Sequence, residues 1–329
     1  MSSILIVSLI LVPLCALAST LFAGFMRRRS LGQTIRPLGP QSHAGKAGTP
    51  TMGGSVVFVL WLAAVGALFV WHPPTPMTAF VLVAASSFAA IGAADDVISI
   101  RRKRSLGLSG PWKLILSSVV TVILFFAFRD LLSVPIRIPF SPNSLVLPSV
   151  AVFFLVWIVF LATTNGMNLT DGLDGLAAGV AVLILAGILL LGPSRANLVL
   201  IVPLIAGLAG FLWIGAHPAG LFLGDVGSFF LGGTIAALCL ANGLAFLLPI
   251  LAGVLVLEVG SVILQVASLK ATGKRLFRMS PLHHHFEISS GQEREHILPS
   301  FRWAESKVTV RFWILQGALV GLALLAGKV

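Results

Sequence analysis

The chain has 329 residues, of which 57% are hydrophobic and only 10% are charged. A water-soluble domain carries about 25% charged residues, so this composition excludes a soluble globular protein and indicates a polytopic membrane protein. The formal net charge of +11 would suggest a nucleic-acid ligand in a soluble protein, but here the positions of the charges have a better explanation in membrane topology, and no nucleic-acid partner is expected.

Long apolar runs predict an all-α integral membrane protein with about ten transmembrane helices in a single domain, residues 1–329. In chain order the predicted spans are 3–25, 51–71, 77–98, 112–131, 148–164, 173–192, 197–213, 227–241, 244–269 and 308–326. The span 227–241 is short and rich in glycine, which favours a tilted or partly broken helix packed by its neighbours. The segment 132–147 contains three prolines and is expected to form a short extended hairpin.

The loops alternate between two sides of the membrane, and positive charge lies mostly on one of them. That side holds the loops 26–50, 99–111, 165–172, 214–226 and 270–307, which with the adjoining helix ends carry 18 of the 22 Lys and Arg residues. The positive-inside rule therefore makes this side cytoplasmic and places both termini outside. Of the 11 acidic residues only Asp130 lies near the outer face, so the chemistry is expected at the cytoplasmic loops.

The first two polar motifs suit phosphate and metal binding. In Gly45–Gly54 small residues surround Lys46 and open a helix, whose N-terminal N–H groups suit an anion. A plain turn before a helix is an equally good interpretation of this motif. Asp95 and Asp96 end the third span, and adjacent carboxylates suit Mg²⁺ shared with phosphates. Their alternative role is ion pairing with the basic segment Arg101–Arg104.

The segment Asn165–Asp174 is the most informative motif, because it places two carboxylates and an amide between apolar runs. A carboxylate at membrane depth costs about 2.5–3.5 kcal/mol on insertion scales, so Asp171 and Asp174 are candidate functional residues by default. They stand three residues apart, so a helical turn would point both the same way. The alternative is that Asp171 only caps a helix end.

Two later motifs complete the set. Asp225 stands between glycines just before a helix, where it is either an N-cap or a metal ligand, and the three acidic motifs on one membrane face favour the ligand. His283, His284 and His285 are adjacent and cannot all point to one spot, which argues against zinc. One or two of them are expected to donate to a phosphate or a uracil-like group. Together the motifs suit phosphoryl transfer between a soluble anionic donor and a lipid acceptor.

These motifs resemble those of the phospho-N-acetylmuramoyl-pentapeptide transferases, in the superfamily of polyprenyl-phosphate N-acetylhexosamine-1-phosphate transferases. The resemblance runs in order over nearly the whole chain, and Pro281–Glu287 is its most specific part. It implies a multi-pass enzyme of the bacterial inner membrane with a cytoplasmic active site, often a homodimer. The implied reaction uses Mg²⁺ and transfers phospho-MurNAc-pentapeptide from UDP-MurNAc-pentapeptide to undecaprenyl phosphate, giving lipid I and UMP in peptidoglycan synthesis.

The resemblance also implies roles for single residues. Asp225 corresponds to the Mg²⁺ ligand, with Asn168 as a second metal candidate. Asp95 corresponds to the acid proposed to act on the lipid phosphate, with Asp96 beside it, and His283 is a further catalytic candidate. The residues implied in substrate binding are Lys46, Thr51, Lys113, Asn168, Asp171, Gly172, Leu173, Asp174, Phe222, His284 and His285. Of these, Gly172, Leu173, Asp174 and Phe222 match the uridine pocket.

The chain departs from the family pattern at three positions. Ser99 and Leu106 stand where lysines are usual, and Gly215 stands where an asparagine is usual. The cations expected to supply the missing charge are Arg101, Arg102, Lys103, Arg104 and Lys113. The segment Ile288–Trp303 resembles an insertion before the last span.

The sequence leaves one mechanistic and two functional alternatives open. Direct displacement by the lipid phosphate is the first mechanism, and a covalent aspartyl-phosphate on Asp95 or Asp96 is the second. A sister transferase that moves a HexNAc-1-phosphate to the same lipid is argued against by residues 281–287. A transporter predicts acids near the bilayer midplane and inverted repeats, whereas the acids here lie at helix ends on one side.

Overall fold

The computed structural model describes residues 1–29, 46, 48–102, 107–288 and 295–327. Its helices are α1 (Ser2–Arg28), α2 (Gly53–Leu68), α3 (Pro76–Arg102), α4 (Gly110–Leu132), α5 (Ser149–Thr170), α6 (Leu176–Leu191), α7 (Arg195–Gly215), α8 (Gly224–Ala241), α9 (Leu248–Leu251), α10 (Gly253–Thr272), α11 (His283–Phe286) and α12 (Glu305–Ala326). Two short strands, β1 (Ile136–Arg137) and β2 (Ser144–Leu145), lie between α4 and α5. Lys103, Arg104 and Leu106, which the sequence singled out, lie outside the described residues.

The prediction of an all-α polytopic membrane protein is confirmed. Within the described ranges, eight helices are long and apolar enough to cross a membrane, and α2 and α6 are shorter apolar helices of the same kind. These ten correspond in order to the ten predicted spans. The expected hairpin is also present, since β1 and β2 pair antiparallel with Ile136 opposite Leu145.

Helix α8 lies at the centre of the bundle, and 89% of its residues are buried. It packs against α2, α3 and α5, as expected for a glycine-rich span, but the expectation of a partly broken helix is wrong because α8 runs unbroken from Gly224 to Ala241. Small residues permit this close packing: a Cβ on Gly92 of α3 would lie 2.1 Å from the carbonyl oxygen of Asp225. Helix contacts of this kind are typical of membrane bundles.

The predicted ninth span, 244–269, is not one helix. The chain makes the short helix α9, leaves helical geometry at Ala252 (φ −115°, ψ 39°) and resumes as α10. The side chain of Gln316 in α12 fills this break: its Oε1 accepts from the Val254 N–H at 3.2 Å, and its Nε2 donates to the Leu251 carbonyl at 2.6 Å. A break at membrane depth is tolerated because a neighbouring helix satisfies the freed backbone groups.

Backbone hydrogen bonds join the segment after Lys46 to the segment before Asp225. The Phe222 N–H donates to the Pro50 carbonyl at 2.9 Å, and the N–H groups of Gly53 and Gly54 donate to the carbonyls of Phe222 and Leu223 at 2.8 Å each. The start of α2 therefore lies beside the start of α8, and Thr51 is only 4% exposed between them. Motifs distant in sequence thus meet at one end of the bundle.

Candidate active site

Asp225 occupies the first turn of α8 and contacts two side chains from other helices. Its Oδ2 lies 2.5 Å from the ammonium of Lys113, and its Oδ1 accepts from the Asn168 amide at 2.8 Å. The same amide lies 3.1 Å from the Ser228 hydroxyl. Lys113 also lies 3.3 Å from Oδ1 of Asp95, so one cation bridges two carboxylates. We call Asp95, Asp96, Asn168, Lys113 and Asp225 the carboxylate cluster.

The two adjacent aspartates of α3 have different tasks. Asp96 accepts from the backbone N–H groups of Asp225 and Val226, at 3.2 and 2.9 Å, and so caps the N-terminus of α8. The cap of α8 is therefore supplied by Asp96, and the Asp225 carboxylate faces the side chains of Lys113 and Asn168 instead. Asp95 accepts from the Leu108 N–H at 2.6 Å and turns toward Lys113.

The sequence left open an ion pair between these two aspartates and the basic segment Arg101–Arg104. The partners that the structure gives Asp95 and Asp96 are Lys113 and backbone N–H groups. Arg101 and Arg102 are exposed at the end of α3. Among the described residues, Lys113, which was expected to replace missing charge, contacts both Asp95 and Asp225.

Asp171 follows α5 and is its C-cap residue, with its N–H donating to the Met167 carbonyl at 3.1 Å. Asp171 therefore ends α5, as the alternative interpretation predicted. Its carboxyl group lies near enough to Asp225 and Asp96 to be affected by their charges. Burial raises the pKa of Asp171 well above its ordinary value, and the charges of Asp225 and Asp96 act in the same direction.

A second group of charges, the Lys46 cluster, contains Lys46, Asp174, His217 and Glu305. The Lys46 ammonium lies 2.7 Å from Asp174 Oδ1 and 2.5 Å from Glu305 Oε1. Asp174 Oδ2 lies 3.0 Å from His217 Nδ1, and Glu305 Oε1 also accepts from the Asp174 N–H at 2.8 Å. Burial raises the pKa of Asp174, but the Lys46 ammonium and the hydrogen bonds from Ala219 and His217 lower it together, and the net pKa lies below its ordinary value.

The Lys46 cluster is also the possible metal-binding group among the described residues. The ligand atoms of Asp174, His217 and Glu305 all lie within 4.8 Å of one another. This differs from the expectation of a metal on Asp225 and Asn168. The Lys46 ammonium already contacts two of the three ligands, so the chain's own cation offsets part of the negative charge of the two carboxylates.

The residues matched to a uridine pocket lie beside the Lys46 cluster. The Lys46 ammonium lies 5.9 Å from the centre of the Phe222 ring, which is half-buried. Leu173 is 4% exposed, and Gly172 is half-buried in the turn between α5 and α6. An aromatic ring beside a cation is an arrangement suited to a flat base.

The three histidines point to different places, as the sequence predicted. His283 is fully buried against Glu258 of α10, whereas His284 Nδ1 lies 2.9 Å from Glu287 Oε2. His285 Nδ1 accepts from the Arg278 N–H at 3.1 Å, and its Nε2 lies 3.1 Å from the Pro299 carbonyl oxygen. Both nitrogens of His285 thus meet backbone groups, so its place is one of packing, and its role in substrate binding stays a prediction.

The sequence reasoning missed three residues of the site: Glu258, His217 and Glu305. Glu258 carried a usable signal, because it is the single acid within the apolar run of the ninth span. His217 and Glu305 fall in the predicted loops 214–226 and 270–307, where a charged side chain is ordinary. Only the folded chain shows that they meet Asp174.

Comparisons with known proteins identify the family of the chain. The family described as "Glycosyl transferase family 4" matches residues 78–243, and "Phospho-N-acetylmuramoyl-pentapeptide-transferase signature 1" matches residues 46–59. A phospho-N-acetylmuramoyl-pentapeptide-transferase of Moorella thermoacetica is 43% identical over 312 residues, 92% of each chain. One of Bacillus pumilus is 40% identical over 302 residues, 90% of this chain and 89% of its own. One of Caldanaerobacter subterraneus is 36% identical, covering 95% of both. The chain therefore belongs to the phospho-N-acetylmuramoyl-pentapeptide-transferase family.

Proposed function

We propose that the chain transfers phospho-MurNAc-pentapeptide from UDP-MurNAc-pentapeptide to undecaprenyl phosphate, giving lipid I and UMP. The observation that carries the proposal is the carboxylate cluster, in which Asp95 and Asp225 share the Lys113 ammonium beside Asn168. We place this reaction at the cytoplasmic face of the bacterial inner membrane. The five loops on that side would then form the active-site face of a single transferase domain.

The donor's nucleotide is proposed to bind at the Lys46 cluster. Phe222 offers a ring face for the uracil, and the turn Gly172–Asp174 offers backbone edges and a carboxylate for its polar atoms. The Lys46 ammonium, held between Asp174 and Glu305, is placed to meet the donor's negative charge. Thr51 and His284 are proposed to contact the remaining phosphate oxygens.

The carboxylate cluster fits a divalent cation. Its carboxylate oxygens are ligands that Mg²⁺ prefers, and an ammonium already bridges two of these carboxylates in this structure. We propose that Asp225 and Asn168 hold Mg²⁺, with Asp95 nearby. When bound, the ion would neutralise the donor's pyrophosphate and the departing UMP.

The proposed reaction is a direct displacement. A phosphate oxygen of undecaprenyl phosphate attacks the β-phosphorus of the donor, a P–O bond forms there, and the bond to the UMP oxygen breaks. The second pKa of a phosphate monoester is about 6, so the nucleophile is mostly dianionic at pH 7 and needs little help from a base. Asp95 and Lys113 therefore act mainly by position and charge.

The test is an assay of purified protein with radiolabelled UDP-MurNAc-pentapeptide and undecaprenyl phosphate, with and without Mg²⁺. Label should pass to the lipid fraction with equimolar release of UMP, and only when Mg²⁺ is present. UDP-N-acetylglucosamine in place of the donor should give no lipid product, and the reverse preference would favour the sister transferase. Substrate flux across vesicles without UMP release would instead support a transporter.

The resemblance also implies a homodimer, and we propose that state for the protein in membranes. The mass of the detergent-solubilised protein, measured by light scattering with the detergent contribution subtracted, tests it. A mass of one chain would reject the dimer and would leave the proposed reaction untested.

A further inference from the structure

Helix α10 buries three polar side chains, Glu258, Ser261 and Gln265, in an otherwise apolar sequence. Glu258 is the acidic one, and its exposed fraction is 0%. An ionisable group inside a membrane helix is costly and marks function by default, so its partner matters. That partner is His283, whose exposed fraction is also 0%.

Glu258 contacts His283 through both carboxylate oxygens. Its Oε2 accepts from the His283 backbone N–H at 3.4 Å, and its Oε1 lies 3.2 Å from His283 Nδ1. The second contact is at ion-pair distance but is not aligned as a hydrogen bond. Within the part of the chain that the structure describes, the two ring nitrogens of His283 have no aligned hydrogen-bond partner. The carboxylate thus lies on the Nδ1 side of the ring.

The other ring nitrogen faces the turn that carries the site's aspartates. A Cβ built on Gly172 would lie 2.3 Å from His283 Nε2, so only glycine fits between the ring and its neighbours. Gly172 follows Asp171 and comes two residues before Asp174. The edge of the imidazole that Glu258 leaves free is therefore directed at the turn between the two clusters.

We infer that Glu258 is a positioning residue for His283. It holds Nδ1 so that Nε2 is presented at the Gly172 turn, where the donor's nucleotide is proposed to bind. A carboxylate that orients a histidine in this way fixes which ring nitrogen meets the reacting groups. The inference rests on the proposed function, because it assigns His283 a place in that reaction.

A matched control lies on the same helix. Gln265 also anchors the loop before α11: its Nε2 donates to the Phe277 carbonyl at 3.1 Å, and its Oε1 accepts from the Phe277 N–H at 2.8 Å. Gln265→Ala removes two hydrogen bonds to this loop but leaves the pair Glu258–His283 untouched. It therefore separates loop anchoring from positioning of the ring.

The experiment is a double-mutant cycle on steady-state kinetics with Glu258→Gln, His283→Asn and the double variant. Loss of a group that orients another commonly costs about 10–100-fold in activity. We expect Glu258→Gln to lower kcat by that factor, with little change in KM for the donor. The double variant should be no slower than His283→Asn alone, and Gln265→Ala should keep most of kcat.

Three results would overturn the inference: near wild-type kcat in Glu258→Gln, an equal loss in Gln265→Ala, or multiplying losses in the double variant. If Glu258→Gln does not fold, Glu258→Asp keeps the charge with a shorter reach, and the same cycle applies. The same three variants are also compared by their thermal unfolding temperatures. The decrease in the double variant should be smaller than the sum of the decreases in the two single variants. Absence of lipid product in the wild type would reject the proposed function alone, since the unfolding cycle still tests the contact.

Discussion

At the scale of single residues, the adjacent aspartates of α3 show how one motif serves two purposes. Asp96 binds the backbone at the start of α8, and Asp95 shares the Lys113 ammonium with Asp225. The structural member of the pair thus fixes the helix that carries the third carboxylate. Substitution of either aspartate should impair the enzyme, but through different causes.

We predict that Asp225→Asn reduces turnover to background while the protein stays folded. The substitution removes the charge proposed to hold Mg²⁺ and the 2.5 Å contact with Lys113. It leaves the α8 cap intact, because Asp96 binds the backbone N–H of residue 225 and not its side chain. The measurement is the initial rate over a Mg²⁺ series, together with thermal unfolding in detergent.

Asp130→Asn is the matched control for this prediction. The Asp130 side chain is 98% exposed near the predicted outer face, so its change should leave the rate as in wild type. Near-normal turnover of Asp225→Asn at saturating Mg²⁺ would remove Asp225 from the metal site.

We predict that Asp95→Asn recovers part of its lost rate as pH rises from about 6 to 8. The lipid phosphate, with a second pKa of about 6, gains its second negative charge over this interval and becomes the better nucleophile without a base. The measurement is the pH–rate profile of the variant beside wild type, at saturating concentrations of both substrates.

The covalent route leads to a different profile. An enzyme without its nucleophile stays inactive at every pH, and the wild type would exchange labelled UMP into the donor with no lipid present. Lipid-free exchange together with a flat, null profile for Asp95→Asn would make direct displacement untenable.

Much of the site could be predicted because its acids stand in apolar sequence, where each one is conspicuous. That argument identified Asp95, Asp171, Asp174 and Asp225, and the structure places them at one end of the bundle. Their division of labour could not be predicted, since whether a carboxylate caps a helix or faces a cation depends on which helix packs against it. Glu305 could not be identified from the sequence either, because only packing brings α12 beside Asp174.

At the scale of elements, hydropathy identified the spans but not their continuity. Glycines weaken an isolated helix, yet those of α8 serve close packing, and the helix is unbroken. The reverse holds for the ninth span, whose apolar sequence conceals the break at Ala252. The break depends on Gln316, a residue of another helix, and no local pattern in 244–269 records it.

We predict that Gln316→Leu destabilises the protein at this break. The change leaves the Val254 N–H and the Leu251 carbonyl without their partner, and an unsatisfied buried group costs about 1–3 kcal/mol. The thermal unfolding temperature in detergent should fall. Gly317→Ala on the same helix is the control, because nothing lies within 4 Å of the added Cβ, and a fall of equal size there would remove the special role of Gln316.

At the scale of the whole molecule, the loops sort to the two ends that the alternation of spans predicts. The hairpin lies at the end opposite the acids: the Arg137 N–H donates to the Gly243 carbonyl at 2.9 Å, and the Phe140 N–H donates to the Ala326 carbonyl at 2.8 Å. The Ser3 hydroxyl meets His72 at the same end, at 3.0 Å. Which end faces the cytoplasm stays a prediction from the distribution of Lys and Arg.

We predict that both termini lie outside, so that Ser194→Cys reacts with a membrane-impermeant maleimide from the outer side only. Ala271→Cys, at the end of α10, should react only after the cytoplasmic face is opened. Both positions are exposed, whereas the native cysteines, Cys15 and Cys239, are buried and should give little background. Labelling in intact and inverted vesicles decides the matter, and the reverse pattern would invert the topology.

The break before α10 also has a consequence for the order in which the protein is assembled. Chains are synthesised from the N-terminus, so α12, the helix that carries Gln316, leaves the ribosome after α9 and α10. Until it inserts, the Leu251 carbonyl and the Val254 N–H lack the amide that satisfies them, and such groups cost several kcal/mol each in hydrocarbon. The ninth span therefore cannot reach its final packing during its own synthesis. Its last two backbone hydrogen bonds form only when α12 packs against it.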